Sequence, residues 1–126
     1  MKDLNVKVLD DKDNELVDLL NVAGIPKNMS RALILINNNK EATSREIELG
    51  AALRQPDVSI VTKEMVRRGW INVSENKTED NKGRPKKVYK LIMSIADIVK
   101  ELEANAAKKF AATTSTLSKL KSLSKV

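Results

Sequence analysis

The chain of 126 residues contains no cysteine and no histidine. Without cysteine it has neither a disulfide framework nor thiolate chemistry. Without histidine it lacks the commonest general base and the commonest metal ligand. We also find no glycine-rich phosphate loop and no pair of carboxylates on a predicted common face. We therefore expect a protein that is not an enzyme and that requires no cofactor and no metal.

Long apolar runs are missing as well. The first residues, from Met1 to Asn5, have none of the apolar character of a signal-peptide core. No apolar run approaches the roughly 20 residues that a membrane-spanning helix needs. The expectation is a cytoplasmic protein, associated with the nucleoid if its partner is DNA, and without a membrane partner.

Basic residues outnumber acidic ones, with 23 Lys and Arg against 17 Asp and Glu and a net charge of +6. The charge is segregated, because residues 1–25 carry a net −3 and residues 26–69, 70–93 and 94–126 each carry +3. Such a balance favours a polyanionic partner. The alternative is a basic surface that serves only solubility.

Residues 1–24 form an acidic N-terminal segment. The alternation from Leu4 to Val8 is a weak strand signal. A helix is predicted over Asp13–Ala23, and Gly24 is a natural C-terminal stop. The residues expected on the inward face of this helix are Leu16, Leu19, Leu20 and Ala23.

The central region, residues 25–93, begins with three predicted helices. Asn28–Ile36 is apolar on several sides, which predicts a buried helix that ends at the following asparagines. Thr43 and Glu46 match a capping box that opens a short helix, with a tight turn from Gly50. The next helix is predicted over Pro56–Arg68, where Pro56 suits the first helical position. Its inward residues are predicted to be Val58, Val61, Met65 and Val66. Two short helices in this order are typical of a helix-turn-helix.

A hairpin follows, with strands predicted over Trp70–Glu75 and Val88–Met93. Trp70 and Tyr89 lie on these two strands, where they either stack on bases or pack the hairpin against the helices, and packing is favoured. The loop between the strands is long and polar, which is typical of a functional or mobile loop.

The hairpin loop ends in a basic run, Lys82–Lys87, that is the most informative part of the sequence. Gly83 permits close backbone approach, and Pro85 favours an extended path, so Arg84 is presented as a probe. A narrow A·T-rich minor groove attracts such an arginine. Gly-Arg-Pro also looks like the core of AT-hook peptides. The alternative is a solvated basic loop.

A long helix is predicted from Ser94, with Asp97 three residues on as a capping signature. Apolar and small residues recur at spacings of four and three, close to a coiled-coil seam. This seam consists of Ile95, Val99, Leu102, Ala106, Phe110, Thr113, Leu117 and Leu120. We assign residues 94–126 to dimerisation. Thr113–Thr116 has poor helix propensity, so the tail is coiled coil, a frayed end or a helix that binds a partner.

Candidate DNA contacts come from three places: the start of the short helix, the outward face of Pro56–Arg68 and the basic loop. Gln55 can read adenine, and Ile60 suits either a thymine methyl or lateral packing. Asp57 either accepts a hydrogen bond from cytosine or serves as a first-turn carboxylate that interacts favourably with the helix dipole, and the second role is the favoured one. The hydroxyl and backbone amide groups at the start of the short helix, beginning at Thr43, are expected to bind a phosphate, to cap the helix, or to do both. The full candidate set is Thr43, Ser44, Arg45, Arg54, Gln55, Pro56, Ser59, Ile60, Lys63, Arg67, Lys82, Gly83, Arg84, Lys86 and Lys87.

Four pieces in order, Glu41–Glu48, Leu53–Ser59, Arg68–Ile71 and Lys82–Leu91, together resemble archaeal winged-helix transcriptional regulators of the MarR, ArsR and TrmB-like group. The resemblance implies a homodimer that binds double-stranded DNA in a sequence-specific way. It places the helix from Gln55 in the major groove and the basic loop at the minor groove or backbone. The chain lacks the cysteines and histidines of metal-sensing ArsR members and the large sensor domain of TrmB proteins, so the effector is unknown.

The expected fold is therefore mainly α with a small antiparallel β-hairpin: a winged helix-turn-helix followed by a long C-terminal dimerisation helix. Two other functions remain open. One is a non-specific architectural DNA-binding protein, and the other is a winged helix that serves as a protein-interaction module.

Overall fold

The computed structural model describes residues 7–76 and 86–124, with the side chains of residues 76 and 86 outside that description. In chain order the elements are α1 (Asp11–Val22), α2 (Lys27–Asn39), β1 (Glu41–Thr43), α3 (Ser44–Gly50), α4 (Gln55–Arg67), β2 (Ile71–Asn76), β3 (Lys86–Leu91) and α5 (Ile95–Leu123). They form two compact units, Met1–Ser94 and Ile95–Val126. The fold is mainly helical with a small antiparallel sheet, as predicted.

Helix α1 begins two residues earlier than predicted. The Asp10 carboxylate accepts from the Asp13 N–H at 2.9 Å, and the Asp13 carboxylate accepts from the Asp10 N–H at 3.0 Å, which is a reciprocal capping box. Its buried apolar residues are Val17 and Leu20. The prediction that Leu16, Leu19 and Ala23 point inward is wrong, because all three are exposed and α1 meets α2 along a narrower face than the apolar pattern implies.

The N-terminal strand signal is not realised in the described residues. Lys7 and Val8 have no regular secondary structure, and residues 4–6 of the expected strand lie outside the described residues. After α1, Gly24 has φ +114, the left-handed region that favours glycine. The predicted stop at this glycine is therefore confirmed.

Helix α2 is the centre of the first unit. Every residue from Ala32 to Ile36 is buried. The helix ends at Asn39, within the run of asparagines where its end was predicted, and the Asn39 side chain donates Nδ2–H to the Leu35 carbonyl at 2.8 Å. The chain leaves the helix at Lys40, which has φ +71.

Helix α3 begins with the predicted capping box. The Glu46 N–H donates to Thr43 Oγ1 at 3.2 Å, and the Thr43 N–H donates to the Glu46 carboxylate at 2.9 Å. Gly50 is the last residue of α3 rather than part of the turn, which follows it at residues 51–54. An added Cβ at Gly50 would lie 2.7 Å from Cδ1 of Leu35, so glycine permits the close approach of α3 to α2.

Helix α4 begins one residue earlier than predicted, so Pro56 occupies its second position. Its buried residues are Val58, Val61, Thr62 and Met65. The prediction that Val66 points inward is wrong, and Thr62 takes the buried position instead. Burial of Thr62 is tolerated because its hydroxyl donates to the Val58 carbonyl at 2.7 Å. The helix ends before Gly69, which has φ +81.

The sheet has three strands in the order β1-β3-β2, all antiparallel, where the sequence predicted a two-stranded hairpin. The short strand β1 adds to the hairpin, with Ala42 opposite Tyr89. Both Trp70 and Tyr89 are buried, which confirms packing rather than base stacking. Trp70 precedes β2, and its carbonyl accepts from the N–H groups of Ile92 and Met93 at 2.9 and 3.2 Å. These residues, expected within the return strand, therefore lie beyond it.

The second unit consists mainly of α5, a 29-residue helix about 43 Å long at about 1.5 Å per residue. It extends past Leu120 and includes the whole of Thr113–Thr116, so the expected fraying there is not observed. Of its described residues only Ile98 is buried.

We predict that Gly50→Ala destabilises the first unit by about 1–3 kcal/mol, although alanine is the better helix former by up to about 1 kcal/mol. The reason is the overlap between the added methyl group and the buried Leu35 side chain. Urea unfolding of the variant and the parent chain measures the difference.

The double variant Gly50→Ala/Leu35→Ala is the matched control, because shortening Leu35 makes room for the new methyl group. It should lose less stability than the sum of the two single variants. Additive losses would show that the cost arises elsewhere.

Candidate nucleic-acid interface

The outward face of α4 carries the predicted reading residues. Five of them are exposed on the side of the helix opposite its buried residues: Pro56, Ser59, Ile60, Lys63 and Arg67. Gln55, at the N-terminal entry of the helix, is also exposed. Ile60 is 67% exposed, which favours an external contact over lateral packing. Asp57 is half-buried in the first helical turn, and Arg54 is the exposed N-cap residue. Contact of this face with DNA remains a prediction.

Three charged residues interact at the C-terminal end of α4. The Glu64 carboxylate accepts from Arg67 Nε at 3.0 Å and Nη2 at 2.5 Å, and from Arg68 Nε at 2.7 Å. Hydrogen bonds from Arg67 and then Arg68 lower the pKa of Glu64 from 4.5 to about 2. The guanidinium of Arg68 also lies 5.0 Å from the centroid of the Trp70 ring, a cation–π arrangement. The cluster thus joins the end of α4 to the start of β2.

This cluster changes the electrostatic character of one candidate residue. Arg67 was predicted as a DNA contact, but its charge is already partly balanced by Glu64, whose hydrogen bond raises the pKa of the guanidinium. Sequence reasoning missed Glu64 and Arg68. The sequence did contain a signal for this cluster: Arg67 and Arg68 follow Glu64 by three and four residues, and residues at those spacings are neighbours on a helix.

Lys63 and Lys87 come together across two elements that sequence reasoning treated separately. Both line a cleft of about 170 Å³ between α4 and the β2–β3 hairpin, together with Thr62, Val66, Val73 and Tyr89. Both lysines are exposed. The cleft therefore carries two cations, one from α4 and one from β3.

The start of α3 holds three further candidate residues. Thr43 and Ser44 are half-buried and Arg45 is exposed. The capping role of Thr43 is confirmed by its bond with Glu46, whereas a phosphate contact remains a prediction.

The basic loop is only partly within the described residues. Lys82, Gly83 and Arg84 lie outside them, and so does the side chain of Lys86. Strands β2 and β3 pair as far as Asn76 opposite Lys86, so the loop is the connection at the far end of this hairpin.

The predicted dimerisation residues share one face of α5. Val99, Phe110, Leu117 and Leu120 are exposed large apolar residues, and Ala106 is also exposed. Ile95 and Leu102 are half-buried. Their role in dimerisation remains a prediction.

Neither a metal site nor a membrane-spanning helix is found among the described residues. Residues 7–76 and 86–124 contain no group of three or more acidic side chains placed to hold a metal ion. None of the helices within these ranges has the length and apolar character required to cross a bilayer.

The Glu64 cluster predicts a specific pH dependence. Because the folded-state pKa is lower than the ordinary 4.5, the ionised carboxylate contributes stability that is fully present above about pH 4.5 and is lost as pH falls towards 2. A carboxyl NMR titration should find Glu64 with a pKa of about 2, and Arg67→Ala/Arg68→Ala should return it towards 4.5.

The matched control is Glu64→Gln, which cannot titrate at this position. Its unfolding midpoint should fall less steeply than that of the parent chain between pH 4.5 and 2. Parallel curves would indicate that the cluster is absent in solution.

Comparison with known proteins identifies the fold. No protein-family profile and no curated sequence matches the chain. Among solved structures, it resembles a possible transcriptional regulator from Methanosarcina mazei Go1, with 12% identity and a TM-score of 0.60 over 79% of this chain and 85% of that one. A MarR-family regulator from Silicibacter pomeroyi has 16% identity and a TM-score of 0.51, over 90% and 82% of the two chains. NMB1585, a MarR-family regulator from Neisseria meningitidis, has 18% identity and a TM-score of 0.50, over 87% and 81%. At these identities the likeness shows the fold: a winged helix with a long C-terminal helix, like that of MarR-family regulators.

Proposed function

We propose that the protein is a homodimeric transcriptional regulator that binds double-stranded DNA in a sequence-specific way, without enzymatic activity. The observation that carries the proposal is the outward face of α4, which presents Ser59, Ile60 and Lys63 to solvent on a winged-helix scaffold, with Gln55 exposed at the entry of the helix. The net charge of +6 favours a polyanionic partner for such a face.

The dimensions and chemistry of α4 fit the major groove. An α-helix with side chains is about 10–12 Å wide, and the major groove of B-DNA is about 12 Å wide. Gln55 can pair bidentately with adenine, and Ile60 suits a thymine methyl. Because these residues address base edges, the face is suited to reading sequence as well as to binding phosphates.

The neighbouring cations favour contact with the DNA backbone. Lys63 and Lys87 line one cleft at the junction of α4 and the hairpin, where a phosphate would meet both charges. In this proposal Arg84, in the loop beyond, reaches an adjacent A·T-rich minor groove. Arg67 contributes less than its exposure implies, because Glu64 competes for it.

Dimerisation would rest on the exposed apolar face of α5. A two-fold dimer places two recognition helices on half-sites one helical turn apart, about 34–36 Å, so the operator should be nearly palindromic.

The first test selects bound sequences from a random duplex library at about 150 mM salt, with Arg84→Ala selected in parallel. A palindromic motif whose flanking A·T preference is lost in the variant would support the proposal. Enrichment of A·T content without a motif would indicate an architectural protein. If no sequence is enriched, the result would favour the alternative in which the winged helix serves as a protein-interaction module.

The second test removes one cation from the cleft. Lys63→Ala should weaken binding to the selected duplex and reduce the slope of log affinity against log salt by about 0.9 for each phosphate that is no longer neutralised. Binding titrations at several salt concentrations measure both quantities.

Lys12→Ala is the matched control, since Lys12 is an exposed helical lysine on α1, which packs against α2. It should leave the slope unchanged. If both substitutions change the slope equally, Lys63 contributes only through the net charge of the protein and not through a phosphate contact.

A further inference from the structure

The C-terminal end of α3 is closed partly by its own backbone and partly by a side chain from another helix. The N–H of Ala51 donates to the Ile47 carbonyl at 2.9 Å, and the N–H of Leu53 donates to the Glu48 carbonyl at 2.9 Å. The carbonyl of Ala51 accepts from Arg31, on α2, whose Nε lies 2.7 Å away. Arg31 therefore caps α3 from a neighbouring helix.

The chemistry of this contact suits a guanidinium. The last carbonyls of a helix carry partial negative charge and have no partner within the helix, so a cation there is stabilising. Hydrogen bonds from a charged donor are shorter and stronger than neutral ones, in agreement with the 2.7 Å length. Ala51 is fully buried, so its carbonyl depends on the protein for a partner.

The turn that follows is anchored at its beginning and not at its end. Residues 52–54 lead from α3 to α4, and Ala52 has φ +56, a left-handed conformation that is unfavourable for a residue with a side chain. Arg54, the N-cap residue of α4, makes no side-chain capping hydrogen bond. A strained turn persists only where the surrounding structure holds it. The bond from Arg31 to Ala51 supplies such a constraint immediately before the turn.

We propose that Arg31 is a positioning residue for DNA recognition. By holding the Ala51 carbonyl it fixes the point at which α4 begins, and with it the exposed residues at the helix entry, Arg54 and Gln55. Recognition helices contact base edges with their N-terminal residues, and such contacts require accurate placement. The inference rests on the proposed DNA-binding function and adds a residue on α2 that sequence reasoning left out of the candidate set.

Burial distinguishes this role from a direct contact with DNA. Arg31 is half-buried and its Nε is engaged within the protein, whereas the candidate contacts Arg54 and Lys63 are exposed. A phosphate contact and a positioning role predict different salt dependence, because only the contact releases a counterion from the DNA. Binding measurements at several salt concentrations therefore separate the two roles.

Two substitutions isolate the hydrogen bond. Arg31→Met keeps an unbranched stem but removes both the charge and the donor. Arg31→Lys keeps the charge, but lysine has a methylene group where arginine has Nε, so its donor lies one atom farther along the side chain. Arg31→Lys also carries the test if Arg31→Met does not fold.

Hydrogen exchange in the absence of DNA gives the first readout. The hydrogen-bonded amides of Leu53 and Val58, on either side of the helix start, should exchange about tenfold faster in Arg31→Met, and faster by a smaller factor in Arg31→Lys. The amide of Met65, farther along α4, should change less. Equal acceleration at Met65 would show a general loss of stability, and unchanged exchange at Leu53 would show that Arg31 does not hold the turn. Either result would overturn the proposal.

DNA binding gives the second readout. The ratio of the affinities for the selected duplex and for an unrelated duplex should fall about tenfold in Arg31→Met, the scale of one good base contact, and by less in Arg31→Lys. The slope of log affinity against log salt should stay unchanged. A slope reduced by about 0.9 together with an unchanged affinity ratio would show a direct phosphate contact and refute the positioning role.

Lys27→Met is the matched control, because Lys27 is an exposed lysine one helical turn before Arg31 on α2. It removes the same charge and should alter neither the exchange of Leu53 nor the affinity ratio. An equal fall in the affinity ratio would show that the effect depends only on net charge, contrary to the proposal.

Failure of the proposed function would give a different result. A wild-type chain that selects no motif would refute sequence-specific binding and the recognition role of Arg31 together. A selected motif with unchanged exchange and an unchanged affinity ratio in both Arg31 variants would refute only the positioning role.

Discussion

The enclosure of α2 is the constraint on which the first unit depends. Residues Ala32 to Ile36 are buried around the full circumference of the helix, and a helix that is apolar on all sides must be covered on all sides. Helices α1, α3 and α4 and the strands β1 and β3 supply that cover. Because Val58, Val61 and Met65 are committed to the interior, the opposite face of α4 must be directed outward. The candidate interface is thus a geometric consequence of the core.

Local signals in the sequence were sufficient to predict most helix boundaries to within one or two residues, and also the outward face of α4. The capping box of Thr43 and Glu46 involves residues three apart, and Gly69 acts through its own backbone conformation. Periodic burial of Val58 and Met65 likewise follows from the geometry of one helix. Each of these features is decided by interactions within a few residues, which is why reasoning from the chain alone could reach them.

Features that depend on tertiary contacts could not be predicted in this way. The three-residue strand β1 is too short to show alternation, and it is stabilised by pairing with β3 and by contacts with α2 and α3. Leu16 and Val66 were predicted to point inward from their spacing, but the width of the covered face is set by the neighbouring element. The approach of Lys63 to Lys87 depends on how the hairpin packs against α4, which no local spacing encodes.

The ion pair between Arg67 and Glu64 has a consequence for the thermodynamics of recognition. An isolated arginine gives up only loosely held solution ions when it meets a phosphate, whereas Arg67 must first part from a covalently tethered carboxylate. If the proposed DNA contact forms, Arg67 exchanges one anion for another, and the ion that leaves the phosphate is offset by the charge left unpaired on Glu64. A count of surface arginines and lysines would then overstate the number of charges that contribute fully to binding.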